Sequence, residues 1–181
     1  MDAGVVVQNV GTIFAIREAV QLNKPLFERY ITVTGSIVNN PGNYKVRIGT
    51  RISDIIAEIG GLKEDPAKIV MGGPMCGISL DSTDTPVVKG TSGILFLSKN
   101  EIWTGDYTSC IRCGRCVSVC PSGLIPCDLC NAVETNHFEL VEGLKPFDCI
   151  MCGSCSYVCP SRRPISHFIK IGQQRVRKLK Q

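Results

Sequence analysis

Nowhere in the 181 residues does an apolar run approach the roughly 18 to 20 residues needed to cross a bilayer, and no basic flank leads into an apolar segment at the N-terminus. The expected location is therefore cytosolic or peripheral to a membrane. Only two histidines occur, His137 and His167, and neither sits in a triad pattern, so neither is assigned a role. Acid is missing from the end of the chain. No Asp or Glu follows Asp148, whereas Arg162, Arg163, Lys170, Arg175, Arg177, Lys178 and Lys180 do. The aromatic interleaving that stacks bases is absent, which argues against a nucleic-acid partner. An apolar content of 44% with a mean hydropathy of +0.13 excludes a mainly disordered chain.

Cysteine is scarce over the first 109 residues, where only Cys76 occurs; the other ten cysteines crowd between Cys110 and Cys159. A disulfide-stapled secreted protein is short and signal-led, so this crowding points to metal instead. The stretch CIRCGRCVSVCP (110–121) recurs thirty-nine residues later as CIMCGSCSYVCP (149–160), with identical internal spacing. Three cysteines at two-residue intervals let a looped backbone wrap one corner of a [4Fe–4S] cubane. The fourth cysteine, followed by proline, is carried off to the other cluster. On this reading one cluster takes Cys110, Cys113, Cys116 and Cys159, and the other takes Cys149, Cys152, Cys155 and Cys120. Gly114 and Gly153 permit close approach of backbone to sulfide, Pro121 and Pro160 redirect the chain, and Ile111, Ile150, Val117, Val119 and Val158 are expected to wall the clusters from water. Zinc also takes four thiolates, but its sites pair two short knuckles and need no triplet followed by Cys-Pro. Two oxidised clusters with their thiolates add about −2 each to the formal net charge of +4, leaving the loaded chain near neutrality.

The cysteine region is preceded by an α+β pattern. Gly4 to Val7 reads as a short strand and Gly11 to Leu22 as a helix, an orphaned pair that cannot bury an apolar face alone. From Arg29, Tyr30, Thr32, Thr34 and Ser36 alternate with Ile31, Val33, Gly35 and Ile37, as in a half-buried strand. Asn39 to Asn43 carries turn chemistry before a second strand at Tyr44 to Arg47. Thr50 or Ser53 is expected to cap a helix bearing Ile52, Ile55, Ile56 and Ile59, ended by Gly60 and Gly61. A strand at Lys68 to Met71 and a pair at Thr85 to Lys89 and Gly93 to Leu97 complete a β-grasp pattern, and Trp103 to Asp106 reads as a linker.

Between Cys120 and Cys149 the apolar residues show no strand alternation, so the insert is helical. Cys127 and Cys130 form a further Cys-x-x-Cys, readable as a redox dithiol, an alternative ligand pair or simple packing; packing weighs most, because eight ligands are already supplied. Cys76 reads as a core or turn thiol. From Pro164, Ile165, Phe168, Ile169, Val176 and Leu179 share one helical face with basic residues on the others. Such a helix is either solvated or docks on an acidic partner or an anionic membrane surface.

GVVVQNVGT (4–12), the β-grasp segment ending MGGPMCG (71–77) and CIMCGSCSYVCP (149–160) together resemble the C subunit of the Rnf (Rsx) ion-translocating oxidoreductases, over essentially the whole chain. The resemblance implies a remnant of an upstream flavin- and NADH-binding domain at 1–27, an SLBB β-grasp domain at 28–100, a mainly helical 2[4Fe–4S] ferredoxin-like domain at 101–163 and a basic amphipathic helix at 164–181. It also implies two [4Fe–4S] clusters, with FMN and NADH belonging only to the missing upstream domain, since no Gly-rich dinucleotide loop is visible here. The expected function is electron relay between that flavin module and other subunits of a membrane-bound ferredoxin:NAD oxidoreductase at the cytoplasmic face, with ferredoxin an indirect partner. An equivalent subunit of a soluble proline or cobalamin reductase is the alternative. A freely diffusing ferredoxin fits the attached β-grasp module poorly, and that module reads as a scaffold rather than a ligand-binding domain.

Overall fold

The computed structural model describes residues 3–179; Met1, Asp2, Lys180 and Gln181 lie outside it, including the lysine counted above in the basic tail. The chain forms two compact units, one of residues 1–73 and 78–102, the other of residues 74–77 and 103–181.

The first unit opens with helix α1 (Val10–Leu22), capped by the Asn9 side chain on the Gly11 amide and closed by left-handed Asn23. None of its residues is buried. The strand expected at Gly4 to Val7 does not form: Val7 is 90% exposed, and among the described residues no strand pairs with this segment. Strand β1 (Glu28–Thr34) follows, with Ile31 and Val33 buried and Tyr30, Thr32 and Thr34 facing out, as the alternation predicts. It pairs antiparallel with β2 (Gly42–Arg47). In the connecting turn the Asn39 and Asn40 side chains donate to the carbonyls of Gly60 and Ile59, closing the end of helix α2 (Ile52–Glu58).

Helix α2 starts differently from the expectation. Neither Thr50 nor Ser53 caps it; the N-cap is Arg51, with no side-chain hydrogen bond, and the amides of Ile52 and Ser53 donate instead to the carbonyls of Thr85 and Thr83. The same bonds explain why Thr85 to Lys89 is no strand. The Thr85 carbonyl serves the helix, Val87 bonds Gly49 and Thr50 just before it, and Pro86 has no N–H to give a ladder, so only an isolated bridge from Pro86 to Arg51 forms. The partner of β3 (Lys68–Met71) is β4 (Ile78–Leu80), and β5 (Gly93–Leu97) inserts between β3 and β1. The sheet order is β2-β1-β5-β3-β4, with β1 and β5 parallel and every other pair antiparallel. This is the β-grasp arrangement: a hairpin, a helix across one face, and a return strand laid beside the first. Ile31, Val33, Ile52, Ile55, Ile94 and Phe96 form its core, each side chain contributing about 1.5 to 3 kcal/mol by burial.

The second unit is helical. It holds α3 (Arg115–Ser118), α4 (Pro126–Glu134), α5 (Phe138–Gly143), α6 (Ser154–Tyr157) and α7 (Ile165–Leu179). Proline at the first position of α4 needs no N–H there, and Leu129, Cys130 and Val133 turn inward from that helix. Helix α7 corrects the reading of a solvated or docking tail. Ile165, Ile169, Gly172 and Val176 are buried against α4 and α5 and belong to one core with Leu129, Val133 and Val141, so most of the apolar stripe is covered within the unit, while Leu179 at its end stays exposed. A Cβ at Gly172 would lie 2.8 Å from Val133 Cγ2 and 3.1 Å from Val141 Cγ1, which lets the helices approach closely. No helix among the described residues is long and apolar enough to cross a membrane.

Candidate metal centres

The two cysteine repeats adopt the same backbone. Residue 112 in the first and 151 in the second have φ of 55° and 57°. Gly114 (φ 74°, ψ −7°) and Gly153 (φ 77°, ψ −8°) then stand in the left-handed region as N-caps of the one-turn helices α3 and α6. Each short helix buries the third cysteine, Cys116 or Cys155, to the same 8% exposure. After the fourth cysteine, the amides of Gly123 and Arg162 donate to the carbonyls of Cys120 and Cys159.

Cys110, Cys113 and Cys116 line one cavity, and Cys159 joins them from the other repeat. Cys120 lies close enough to Cys149 for their charges to interact, and Cys149, Cys152 and Cys155 interact with one another. Among the described residues, no group of three or more Cys, His, Asp or Glu side chains is placed to hold a single metal ion; the thiols of both repeats nonetheless line the first cavity.

Two further residues line the first cavity: Cys127, read from the sequence as packing or an alternative ligand, and Arg163, which the sequence pattern did not single out for the site. Cys127 reaches it from α4 and sits against Cys116; burial pushes its thiol up to about 12, and Cys116 adds to the effect. Cys130, fully buried one helical turn on, is also pushed up to about 12 by burial, against the pull of Arg163. Both are therefore neutral thiols, which fits packing better than a reactive dithiol. Arg163 lines the same cavity at 3% exposure. Its Nη1 donates to Asn131 Oδ1 at 2.6 Å, its Nη2 pairs with Glu134, and its Nε is buried without a partner. Burial opposes its charge, yet Cys130, Glu134 and Cys110 hold it above the usual guanidinium value. A buried cation beside five thiols suits an anionic group.

Among the second set, burial raises Cys149 and pushes Cys155 up to about 11, while the hydroxyl and amide of Ser154 hold Cys152 below the usual thiol value. Ligation must strip a proton from each buried thiol, so loading releases protons, and Cys152 yields its own most readily. The expected apolar walls differ from the observation. Ile111 and Ile150 are two-thirds exposed, because the left-handed residue after each turns the loop tip outward; Val117 and Val119 are exposed too, and Val158 is half-buried. Leu124, Leu129, Cys130 and Ile165 take that role in the core shared with Cys116 and Cys155. At Gly153 the space beside the backbone is filled by protein. Residues Pro74–Gly77, part of this unit, bring the Met75 carbonyl against the place where a Cβ would stand, its carbon only 3.0 Å away, and Cys76 Sγ donates to the Cys152 carbonyl at 3.2 Å. Cys76 is thus an exposed turn thiol. His137 pairs with Glu139 at the surface, and His167 stacks edge-on against Phe168.

Family comparison gives the class. The SLBB domain family matches residues 30–79, and the 4Fe–4S dicluster domain family matches residues 109–162, so the chain carries a β-grasp SLBB domain followed by an iron–sulfur domain of the two-cluster type, and zinc is set aside. The particular relatives are equally plain: the chain is homologous to the C subunit of Rnf-type ion-translocating oxidoreductases. It is 50% identical over 125 residues to the C subunit of the proton-translocating ferredoxin:NAD(+) oxidoreductase complex of Clostridium ljungdahlii, covering 69% of this chain and 27% of that protein. Against the C subunit of the Na(+)-translocating ferredoxin:NAD(+) oxidoreductase complex of Acetobacterium woodii it is 43% identical over 175 residues, 97% of this chain and 40% of the relative. The C subunit of the ion-translocating oxidoreductase complex of Rhodobacter capsulatus is 47% identical over 128 residues, 71% of this chain and 25% of the relative. The chain thus spans between a quarter and two fifths of the length of these relatives.

Proposed function

We propose that the chain relays electrons through two cross-ligated [4Fe–4S] clusters, one on Cys110, Cys113, Cys116 and Cys159 and the other on Cys149, Cys152, Cys155 and Cys120. The observation that carries this reading is the presence of Cys159 in the cavity of the first triplet, forty-three residues beyond Cys116 in the chain. Each cluster, when bound, supplies a one-electron couple. The protein's part is to hold eight thiolates, exclude water through Leu124, Leu129 and Ile165, and set the local charge.

In this reading the relay connects a flavin and NADH module with other subunits of a ferredoxin:NAD oxidoreductase that moves ions across a membrane, and the chain lies at the cytoplasmic face without spanning it. The names of the relatives support this assignment, and their additional length leaves room for the flavin and NADH sites. Residues 1–27 belong to that upstream module; the apolar helix α1, which buries no residue and leaves Ile13, Phe14 and Ile16 each more than half accessible, supports the view. The SLBB unit serves as a spacer.

Anaerobically prepared chain is expected to hold about eight iron and eight sulfide. Cys120→Ala should disturb the cluster of the distant Cys149 triplet and spare that of the neighbouring Cys110 triplet. Loss of the Cys110 cluster alone would overturn the crossing. Co-purification with integral-membrane subunits supports the ion-translocating assembly, and co-purification with a soluble reductase replaces it.

A further inference from the structure

The two halves of the iron–sulfur unit share a backbone and differ in charge. Four residues after the last cysteine of each repeat stand Leu124 and Arg163, and within the triplets Arg112 and Arg115 of the first correspond to Met151 and Ser154 of the second. Because Cys159 lines the Cys110 cavity, Arg163 lines it too, together with Arg112 and Arg115. Three arginines therefore surround one site, where the corresponding residues of the other are Leu124, Met151 and Ser154.

The three do not weigh equally. Arg112 and Arg115 are exposed, so water and salt screen them, whereas Arg163 is buried. Its counter-charge, Glu134, has a third of its side chain in solvent and also accepts from the Tyr107 hydroxyl at 2.9 Å. Asp128, the other acid near this wall, is exposed beside Cys127. Arg163 thus brings a buried positive charge to the cavity, partly balanced by Glu134, and its guanidinium also reaches Cys110.

We propose that Arg163 sets the potential of the Cys110 cluster above that of the Cys149 cluster, so that an electron shared by the pair rests on the first. The inference depends on the ligation proposed above. Reduction adds one electron, drawn from a low-potential reductant such as dithionite, to a thiolate-ligated cluster of total charge about −2, giving about −3; no bond breaks and no proton need move. A fixed buried cation stabilises the added charge more at the site it faces than at the more distant one, since the interaction falls with distance. Arg163 carries no electron itself; it acts on the site it lines through its charge, as a positioning residue.

The test is an EPR-monitored redox titration of the loaded chain. Wild type should show two one-electron waves. Arg163→Leu, which copies Leu124, should lower the upper wave by at least tenfold in the reduction equilibrium, 59 mV for one electron, and the lower wave by clearly less. Arg163→Lys, which keeps the charge, should restore most of the shift. If Arg163→Leu loads less than eight iron, Arg112→Met/Arg115→Ser is read instead; it should lower the same wave by a smaller amount that shrinks with added salt. Fully loaded protein in which neither wave moves, both move equally or only the lower one moves overturns the proposal. Wild-type chain that does not load two clusters overturns the ligation reading rather than the tuning.

Discussion

Substituting alanine at Gly153 and Gly114 separates backbone strain from packing, because the two positions share one conformation and differ in surroundings. Both have φ near 75°. An L-residue held in the left-handed region costs about 1 to 2 kcal/mol, part of it offset by the stiffer unfolded chain. Among protein contacts that is the whole effect at Gly114, since a Cβ there has no protein atom within 4 Å, and any crowding against a bound cluster is common to both repeats. At Gly153 the Cβ would overlap the Met75 carbonyl oxygen and lie 3.0 Å from its carbon. Backbone cannot rotate away as a side chain can, so the segment Pro74–Gly77 must shift and release the bond from Cys76 Sγ to the Cys152 carbonyl. Overpacking of this kind adds about 1 to 3 kcal/mol. With cluster-loaded protein the observable is the temperature at which visible absorption is lost under anaerobic heating at a fixed scan rate, because that loss is irreversible. Gly114→Ala should fall a few degrees below wild type, and Gly153→Ala about 4 to 8 °C further for each kilocalorie of added cost, with the Cys149 cluster bleaching first. Equal midpoints, or a lower midpoint for Gly114→Ala, would refute the reasoning.

Three further outcomes follow from single contacts. Gly172→Ala should be slightly destabilising, since about 1 kcal/mol of helix propensity is offset by crowding against Val133 and Val141, while Gly172→Leu should abolish the cooperative unfolding of α7 seen by circular dichroism. Cys127→Ala and Cys130→Ala, made singly, should retain about eight iron per chain by colorimetric assay, because neither is needed once eight ligands are supplied; loss of four iron from either would show it to be a ligand. The Ser36 hydroxyl, followed by the Ser98 amide and hydroxyl, holds Glu101 below its ordinary value of 4.5. Its contribution is therefore full above about pH 4.5 and lost as pH falls through the depressed folded value. Glu101→Gln should accordingly be less stable than wild type at pH 7 in denaturant titrations, with the gap closing toward pH 3.

The duplicated cysteine pattern, the alternation in β1 and the helical insert were legible in the sequence because each depends on spacing alone. A period of two puts Ile31 and Val33 on one face whatever surrounds them, and a repeated C-x-x-C-x-x-C imposes the same loop twice, down to the left-handed Gly114 and Gly153. What failed depended on partners distant in sequence. Thr85 to Lys89 has strand composition, but it bonds to residues at and just before the start of α2, and Thr50 and Ser53 lost their capping role to the carbonyls of Thr85 and Thr83. The tail helix has the pattern of a free amphipathic surface, and only packing on α4 and α5 shows that most of its apolar stripe is spent inside the unit. Sequence by itself therefore determined the spacing of the cysteines and the loop that each triplet forms, since that is a matter of short-range geometry. Tertiary structure alone decided what stands next to them: Arg163 beside the Cys110 site, Leu124 in the apolar core, and the Met75 carbonyl against Gly153. Burial and field arise from the whole fold and are written in no local segment.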